Sequence, residues 1–262
     1  MMTFKVVIVS PELAAEWLKR NRKNRPINKD HVGKLVRDIK AGRWAPSPQP
    51  IVFDVDGDLI DGQHRLTAVV VAGVSIQMVI AENAPRESIR GIDMGAQRNA
   101  VGILSMLHDH SPKVRAMAIS NAMITGVRRE TASRYSKQEQ VEFYLEHRGA
   151  VDYAIGLLPV NYRHCKRGQV GAVIARASYT VGSEALERFC TVLTTGVASE
   201  PIAATAILAR DWLMTHSSAG GMASCVESYS KVARALDAYR RGEVIKKLYA
   251  ATVEPFPIKA DR

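Results

Sequence analysis

Cysteine is scarce in this chain. Cys165, Cys190 and Cys225 are its only three, and they lie far apart in 262 residues. An odd number at wide spacing argues against a disulfide framework and suits a reducing cytosol. None of the spacings is that of a zinc site. Long apolar runs are missing too. None reaches the roughly 18 residues that a membrane span needs, so no membrane partner is expected. The opening Met-Met-Thr-Phe-Lys-Val-Val-Ile-Val-Ser has no basic n-region, long h-region or small-residue cleavage site. No signal peptide is expected, and the expected location is cytoplasmic, with nucleoid association as one form of it. Internal repeats and low-complexity segments are absent as well.

What the chain does contain is apolar mass and positive charge. Hydrophobic residues make up 47%, enough for a packed globular protein. Net charge is +10, and residues 98–262 hold 22 basic and 15 acidic side chains against 14 and 11 in residues 1–97. A basic balance of this kind fits a polyanionic partner, or a solvated surface where the charges are spread rather than blocked.

Apolar periodicity and punctuation divide the chain into two regions. Phe4–Val9 is β-branched and reads as a strand. Ser10-Pro11-Glu12 starts a helix to about Asn21, with Leu13, Trp17 and Ala14 facing inward. Between Trp17 and Lys29 there are six basic residues and no acid, a candidate contact for phosphates. Asn28 caps a second helix that ends at Gly42, its buried stripe being Val32, Leu35, Val36 and Ile39. Ile51–Phe53 and Leu59-Ile60 flank an Asp-Gly hairpin signal at Asp56-Gly57. Leu66, Val69 and Val70 mark a third helix stopping at Gly73, Ile76–Ala81 is another strand, and Pro85–Gly91 is a short helix. From Arg98 onward no strand is evident. Helices start near Asn99, Ser111, Ser136, Gly149, Lys166, Ser183, Pro201 and Ala223, giving seven or eight. Ser136 and Glu139 form a capping box. The fold class is therefore α+β: a small α/β domain, residues 1–97, followed by an all-α domain, residues 98–262.

The strand-to-helix junction Leu59-Ile60-Asp61-Gly62-Gln63-His64-Arg65-Leu66 concentrates the chemistry. Gly62 permits close backbone approach. The amides of Gln63, His64 and Arg65 open the next helix, where an anion is favoured. Arg65 offers a bidentate fork for phosphate oxygens. His64 can bind phosphate or move a proton near neutral pH. Asp61 can hold a divalent metal such as Mg²⁺ or orient a nucleophile. The bland reading has Asp61 as a helix cap, His64 satisfied locally and Arg65 facing solvent. Spacing alone weighs the two about equally.

Asp61-Gly62-Gln63-His64-Arg65-Leu66-Thr67-Ala68 resembles the signature of the ParB/sulfiredoxin-like superfamily, in the variant with the Asp-Gly-Gln-His-Arg string. The resemblance extends to Asn24-Arg25-Pro26, to Lys40-Ala41-Gly42-Arg43-Trp44, to the hairpin Ile51–Asp61 and to the helix end Val70–Val74. It covers residues 4–82, less than a third of the chain. It implies a nucleotide-binding α/β domain whose Gly-x-x-Arg turn holds the triphosphate of CTP in ParB-type members or of ATP in sulfiredoxins. The expected phosphate contacts are Gly62, Gln63, His64, Arg65 and Arg25, and the chemistry of their side chains makes Asp61 and His64 the catalytic candidates. Gln63 stands where sulfiredoxins carry their cysteine, so sulfinic acid reduction is not expected. Gln63 also replaces the glutamate of the Gly-Glu-Arg-Arg form, so a metal or base role passes to Asp61, Asp93, Glu82 or Asp58. The second nucleotide-contacting helix of plasmid-partition ParB proteins is not evident, which counts against chromosome partition as such.

Two further groups of residues enter. Asp93 and Arg98 sit in one turn as a second candidate site, for Mg²⁺ and for phosphate or DNA. Arg128, Arg129, Lys166, Arg167, Arg240 and Arg241 are basic clusters at helix ends, either DNA contacts or ordinary complements to helix dipoles. The expected function is a ParB-like protein that binds CTP or ATP at Asp61–Arg65 and associates with DNA, with NTP hydrolysis or phosphoryl transfer as its reaction. The alternatives are a non-enzymatic DNA-binding regulator and a metal-dependent nuclease or DNA-modification protein. Homodimer formation stays open.

Overall fold

The computed structural model describes residues 1–22, 24, 26–85, 87–88, 99–108, 110, 112–128, 132–165, 167–216 and 221–258. The chain divides into two compact units, one of residues 1–99 with 134–139 and one of residues 100–133 with 140–262. It is α+β: a small mixed sheet near the N-terminus, and a C-terminal part whose regular elements among the described residues are all helices.

In the N-terminal unit the order is β1 (Thr3–Val9), α1 (Pro11–Leu18), α2 (Lys29–Lys40), β2 (Ile51–Asp54), β3 (Leu59–Asp61), α3 (Gln63–Ala72) and β4 (Ile76–Ala84). The sheet order is β1-β4-β2-β3. β1 and β4 are antiparallel, with Val6 opposite Val79. β2 runs parallel to β4 and antiparallel to β3. Helices α1 and α2 both pack on α3. They close a core of Val9, Ile51, Phe53, Leu59, Leu66, Val69, Met78 and Ile80.

Local chemistry sets these boundaries. The Ser10 hydroxyl accepts the Leu13 N–H at 3.2 Å, with Pro11 at the first helical position. Asn28 Oδ1 accepts the His31 N–H at 3.0 Å and starts α2. Gly57 turns the hairpin at φ +78°, and Gly73 ends α3 at φ +70°. Val70 departs from expectation, being 38% exposed. The buried arc of α3 runs from His64 and Ala68 round to Val69 and Leu66, and Val70 lies outside it. α1 also stops earlier than about Asn21, at Leu18.

The helical unit contains α4 (Ala100–Leu107), α5 (Val114–Thr125), the body of α6 (Lys137–Leu157), α7 (Gly168–Ala177), α8 (Ser183–Thr195), α9 (Ala203–His216) and α10 (Met222–Arg240). α6 runs unbroken through Gly149, where a second helix start is expected from sequence. A glycine inside a helix costs only about 1 kcal/mol, and 21 continuous residues absorb it. The first turn of α6 groups with the N-terminal unit. There Ser136 and Glu139 form the expected capping box, Ser136 Oγ accepting the Glu139 N–H at 3.0 Å and Glu139 Oε2 the Ser136 N–H at 2.6 Å. Glu139 also takes Arg37 Nε at 2.8 Å, with Arg43 at 3.4 Å. Burial works against ionisation of Glu139, but hydrogen bonds from Arg37 and the Ser136 amide, with the Arg37 and Arg43 charges, outweigh it and hold the carboxyl below its ordinary range.

α5 and α7 pack closely because α7 presents Gly168 and Gly171. A Cβ at Gly168 would meet the Ala118 carbonyl oxygen at 2.6 Å, and one at Gly171 would meet Ile119 Cδ1 at 2.6 Å. The last described segment is pinned by a buried pair. Arg176, fully buried, lies 3.6 Å from Glu254 Oε1 and donates to the Phe256 carbonyl at 3.0 Å. No helix among the described residues is long and apolar enough to cross a membrane.

Candidate functional site

The junction between β3 and α3 is built around Gly62, whose backbone is left-handed at φ +100°. A Cβ there would meet Ile51 Cδ1 at 2.3 Å. Glycine is thus required twice, for the turn and for the close approach of β2. Gln63, His64 and Arg65 follow as the first turn of α3.

Each of these side chains has a defined partner. Gln63 is buried, and its Oε1 accepts from Asn21 Nδ2 at 2.9 Å. Asn24 Nδ2 donates to the Leu59 carbonyl at 2.6 Å and to Asn21 Oδ1 at 2.7 Å. Through these bonds the basic segment after α1 is stitched to β3 and α3. Within that segment Arg20 lies over the Phe53 ring at 5.5 Å, and Arg22 faces Asp58 at 3.4 Å. His64 is also buried and takes the Asn28 N–H on Nε2 at 3.0 Å. A nitrogen accepting that bond carries no proton, so in this geometry the proton resides on Nδ1. The His31 ring meets the His64 ring edge-on at 5.2 Å between centroids.

Arg65 is used as a brace. NH1 donates to the Gln49 carbonyl, and NH2 to the Pro50 carbonyl at 2.9 Å and to Asp61 Oδ2 at 3.0 Å. The guanidinium ties the proline-rich connector to the turn and neutralises Asp61.

These groups wall a pocket of about 330 Å³, into which α2 contributes His31 and Leu35, the connector Trp44, Ser47 and Gln49, and the junction Asp61, Gly62, His64 and Arg65. Trp44 is informative because its indole Nε1 is buried and has no hydrogen-bond partner among the described residues. A buried donor left unsatisfied costs about 1–3 kcal/mol. Among the described residues no group of three or more His, Cys, Asp or Glu is arranged to hold a metal ion. Asp61 is the one carboxylate lining the pocket. One carboxylate together with ligand phosphates is a common set for Mg²⁺, so Asp61 fits an ion brought in by a triphosphate.

Of the expected site residues, the structure gathers Asp61, Gly62, His64 and Arg65 around one pocket and places Gln63 behind it, against Asn21. Arg25 lies outside the described residues, as do Asp93 and Arg98, Arg129 and Lys166. Arg167 braces α7 to α10, reaching Ser224 Oγ at 3.1 Å and Ser228 Oγ at 3.2 Å. Arg240 and Arg241 both contact Asp237, at 2.8 and 2.9 Å, and Arg241 also Glu243 at 3.2 Å. Arg128 is exposed. Asp58, an alternative metal candidate, is engaged by Arg22, and Glu82 pairs with Lys5 at 2.8 Å. Sequence reading missed His31, Trp44, Ser47 and Gln49. A lone indole and two polar loop residues carry no spacing signal, and only the folded connector brings them to the turn.

Comparison with known proteins finds no matching family model, no matching curated protein and no matching solved structure.

Proposed function

We propose that the N-terminal unit binds a nucleoside triphosphate, CTP or ATP, with its phosphates against the first turn of α3, and that the chain associates with DNA. The observation that supports the nucleotide part is the polar pocket where the first turn of α3 meets Asp61, His31 and Trp44. A volume of about 330 Å³ suits a small ligand. The α3 N-terminus favours an anion, and the His31 and His64 rings add donors. Asp61 would hold Mg²⁺ carried by the phosphates, and the ion would supply charge neutralisation there. If turnover occurs, Asp61 is the pocket carboxylate able to orient water or a nucleophile. The DNA part rests on the +10 net charge, strongest in residues 98–262.

The test is a thermal-shift panel of the four ribonucleoside triphosphates with Mg²⁺, on the intact chain and on His31→Ala. His31 is exposed, so its loss should not unfold the unit. A ligand that binds only the folded state raises apparent stability by mass action. One nucleotide should raise the midpoint saturably, and His31→Ala should reduce the rise. No shift with any of the four would reject the proposal.

The contacts of Arg65 favour a second reading, a DNA-binding regulator in which the turn is purely structural. That reading expects DNA affinity that falls steeply with salt, with no nucleotide response.

A further inference from the structure

Beyond α10 the chain has no regular element among its described residues, yet it is held in place. The Thr205 hydroxyl on α9 donates to the Glu243 carbonyl at 3.0 Å and accepts the Ile245 N–H at 3.2 Å. Further on, the Ala251 N–H donates to the Ser230 carbonyl of α10 at 3.1 Å. Between these two anchors Lys246, Lys247 and Tyr249 are exposed, Tyr249 at 68%. Among the described residues neither lysine pairs with an acid, and Tyr249 makes no hydrogen bond or ring contact through its side chain. Arg240 and Arg241, by contrast, are engaged by Asp237. Residues 234–249 hold five basic and two acidic side chains, so positive charge stays in excess there.

The second anchor borders a cavity of about 630 Å³. It is walled by Val127 after α5, by Val226, Glu227 and Ser230 on α10, and by Ala250 and Ala251 of the anchored segment. Ser230 is 2% exposed, and its hydroxyl has no hydrogen-bond partner among the described residues. Glu227 gives one carboxylate oxygen to Lys231 at 3.0 Å, and its side chain stays 48% exposed. Lys247 precedes Ala250 by three residues, so their Cα atoms lie at most about 11 Å apart. The lysines and the cavity therefore belong to one surface.

The two parts of that surface suit different chemistry. The cavity walls are apolar, with a hydroxyl and a carboxylate as polar groups, so Glu227 disfavours an anion inside. A nucleobase brings apolar faces and N–H donors on its edge, which match those walls. The lysines outside suit phosphates, and an exposed tyrosine ring suits stacking on a neighbouring base. A base can enter a cavity only when it is unpaired and unstacked. We propose that residues 246–252 and the start of α10 form a site for single-stranded DNA. One base enters the cavity against Glu227 and Ser230, the flanking phosphates meet Lys246 and Lys247, and the next base stacks on Tyr249. Because the segment is fixed at both anchors, little ordering entropy is lost on binding. The inference rests on the reading that the chain associates with DNA, and it gives that association a place and a strand form. It is independent of the pocket at Gly62–Arg65.

The experiment uses the full chain and three fluorescein-labelled probes read by anisotropy: a short DNA strand, its duplex, and the RNA strand of the same sequence. The DNA strand should bind more tightly than the duplex at equal salt. Replacing Lys246 and Lys247 together by Ala should reduce the slope of log affinity against log salt by about 1.4, two phosphates at about 0.7 each. Tyr249→Ala should weaken strand binding about fivefold or more, and so should Ala223→Phe, which fills the cavity. Both should leave duplex binding unchanged. All four positions are exposed, and a thermal midpoint equal to wild type checks the fold of each variant. Should Ala223→Phe lower the midpoint, Ala250→Phe fills the cavity from the anchored segment instead, and the same loss is expected. Strand binding that none of these variants alters overturns the site and leaves DNA association standing. Absence of binding to every probe overturns both. A duplex bound as tightly as the strand, or RNA bound more tightly than DNA, overturns single-stranded DNA as the ligand.

Discussion

Gly62→Ala tests how far the turn beneath the pocket depends on its glycine. Two costs can be worked from the structure. The backbone sits at φ +100°, and a left-handed conformation costs a non-glycine residue about 1–2 kcal/mol. The new methyl would also stand 2.3 Å from Ile51 Cδ1 and 3.4 Å from Ile51 Cα. Ile51 is fully buried in β2, and overpacking of that kind costs about 1–3 kcal/mol. The expected loss is therefore about 2–5 kcal/mol, a large share of the ~5–15 kcal/mol typical of a folded protein. Gly57→Ala is the control, since Gly57 is at φ +78° with nothing within 4 Å of a Cβ. It should lose the backbone part alone. Urea unfolding in a Trp212→Phe background leaves Trp17 and Trp44 as emitters, so fluorescence reports the N-terminal unit. Ile51→Val removes the clashing Cδ1, so Gly62→Ala should cost about 1 kcal/mol less in that background. If Gly62→Ala and Gly57→Ala agree within about 0.5 kcal/mol, or Ile51→Val brings no relief, the close-approach argument is wrong.

Two further outcomes follow from the packing and the charges. Gly168→Ala would drive a methyl into the Ala118 carbonyl at 2.6 Å, a backbone atom that cannot rotate away. It should destabilise the helical unit by about 2 kcal/mol or more, seen as a lower urea midpoint in Trp212 emission, while Gly156→Ala, with open space around it, should not. The Glu139 carboxyl is held below its ordinary range of 4.5 in the folded state. Its contribution is therefore present above that value and is lost as pH falls through the lower folded pKa. Glu139→Gln should lower stability at neutral pH and flatten the loss that sets in as pH falls below 4.5, measured as urea midpoint against pH.

The parts of the fold legible in sequence are those decided within a few residues. The Ser10-Pro11 and Asn28 caps, the Asp56-Gly57 turn, the Gly73 stop and the Ser136–Glu139 box all depend on local hydrogen bonds or a local φ. Contacts made across long separations were not legible. Nothing near Arg65 announces that its guanidinium reaches back to the Gln49 and Pro50 carbonyls. Nothing near Gly168 announces Ala118. Gly149 read as a boundary because a glycine weakens a helix, but buried Val141, Tyr144, His147 and Val151 on one helix face carry it through. The site was legible as a string, Asp61 to Arg65, whereas its walls, His31, Trp44 and Ser47, come from other elements.

The central claim is that phosphates settle against Gly62–Arg65 beside Trp44. Its most direct test is a titration of ¹⁵N-labelled protein with CTP or ATP and Mg²⁺, watching the indole N–H signals of Trp17, Trp44 and Trp212, with Trp44→Phe to assign the second. The account predicts a saturable shift of the Trp44 indole and of the Gly62–Arg65 amides, with Trp212 unmoved. A Trp44 signal and Gly62–Arg65 amides that stay still through the titration would contradict it.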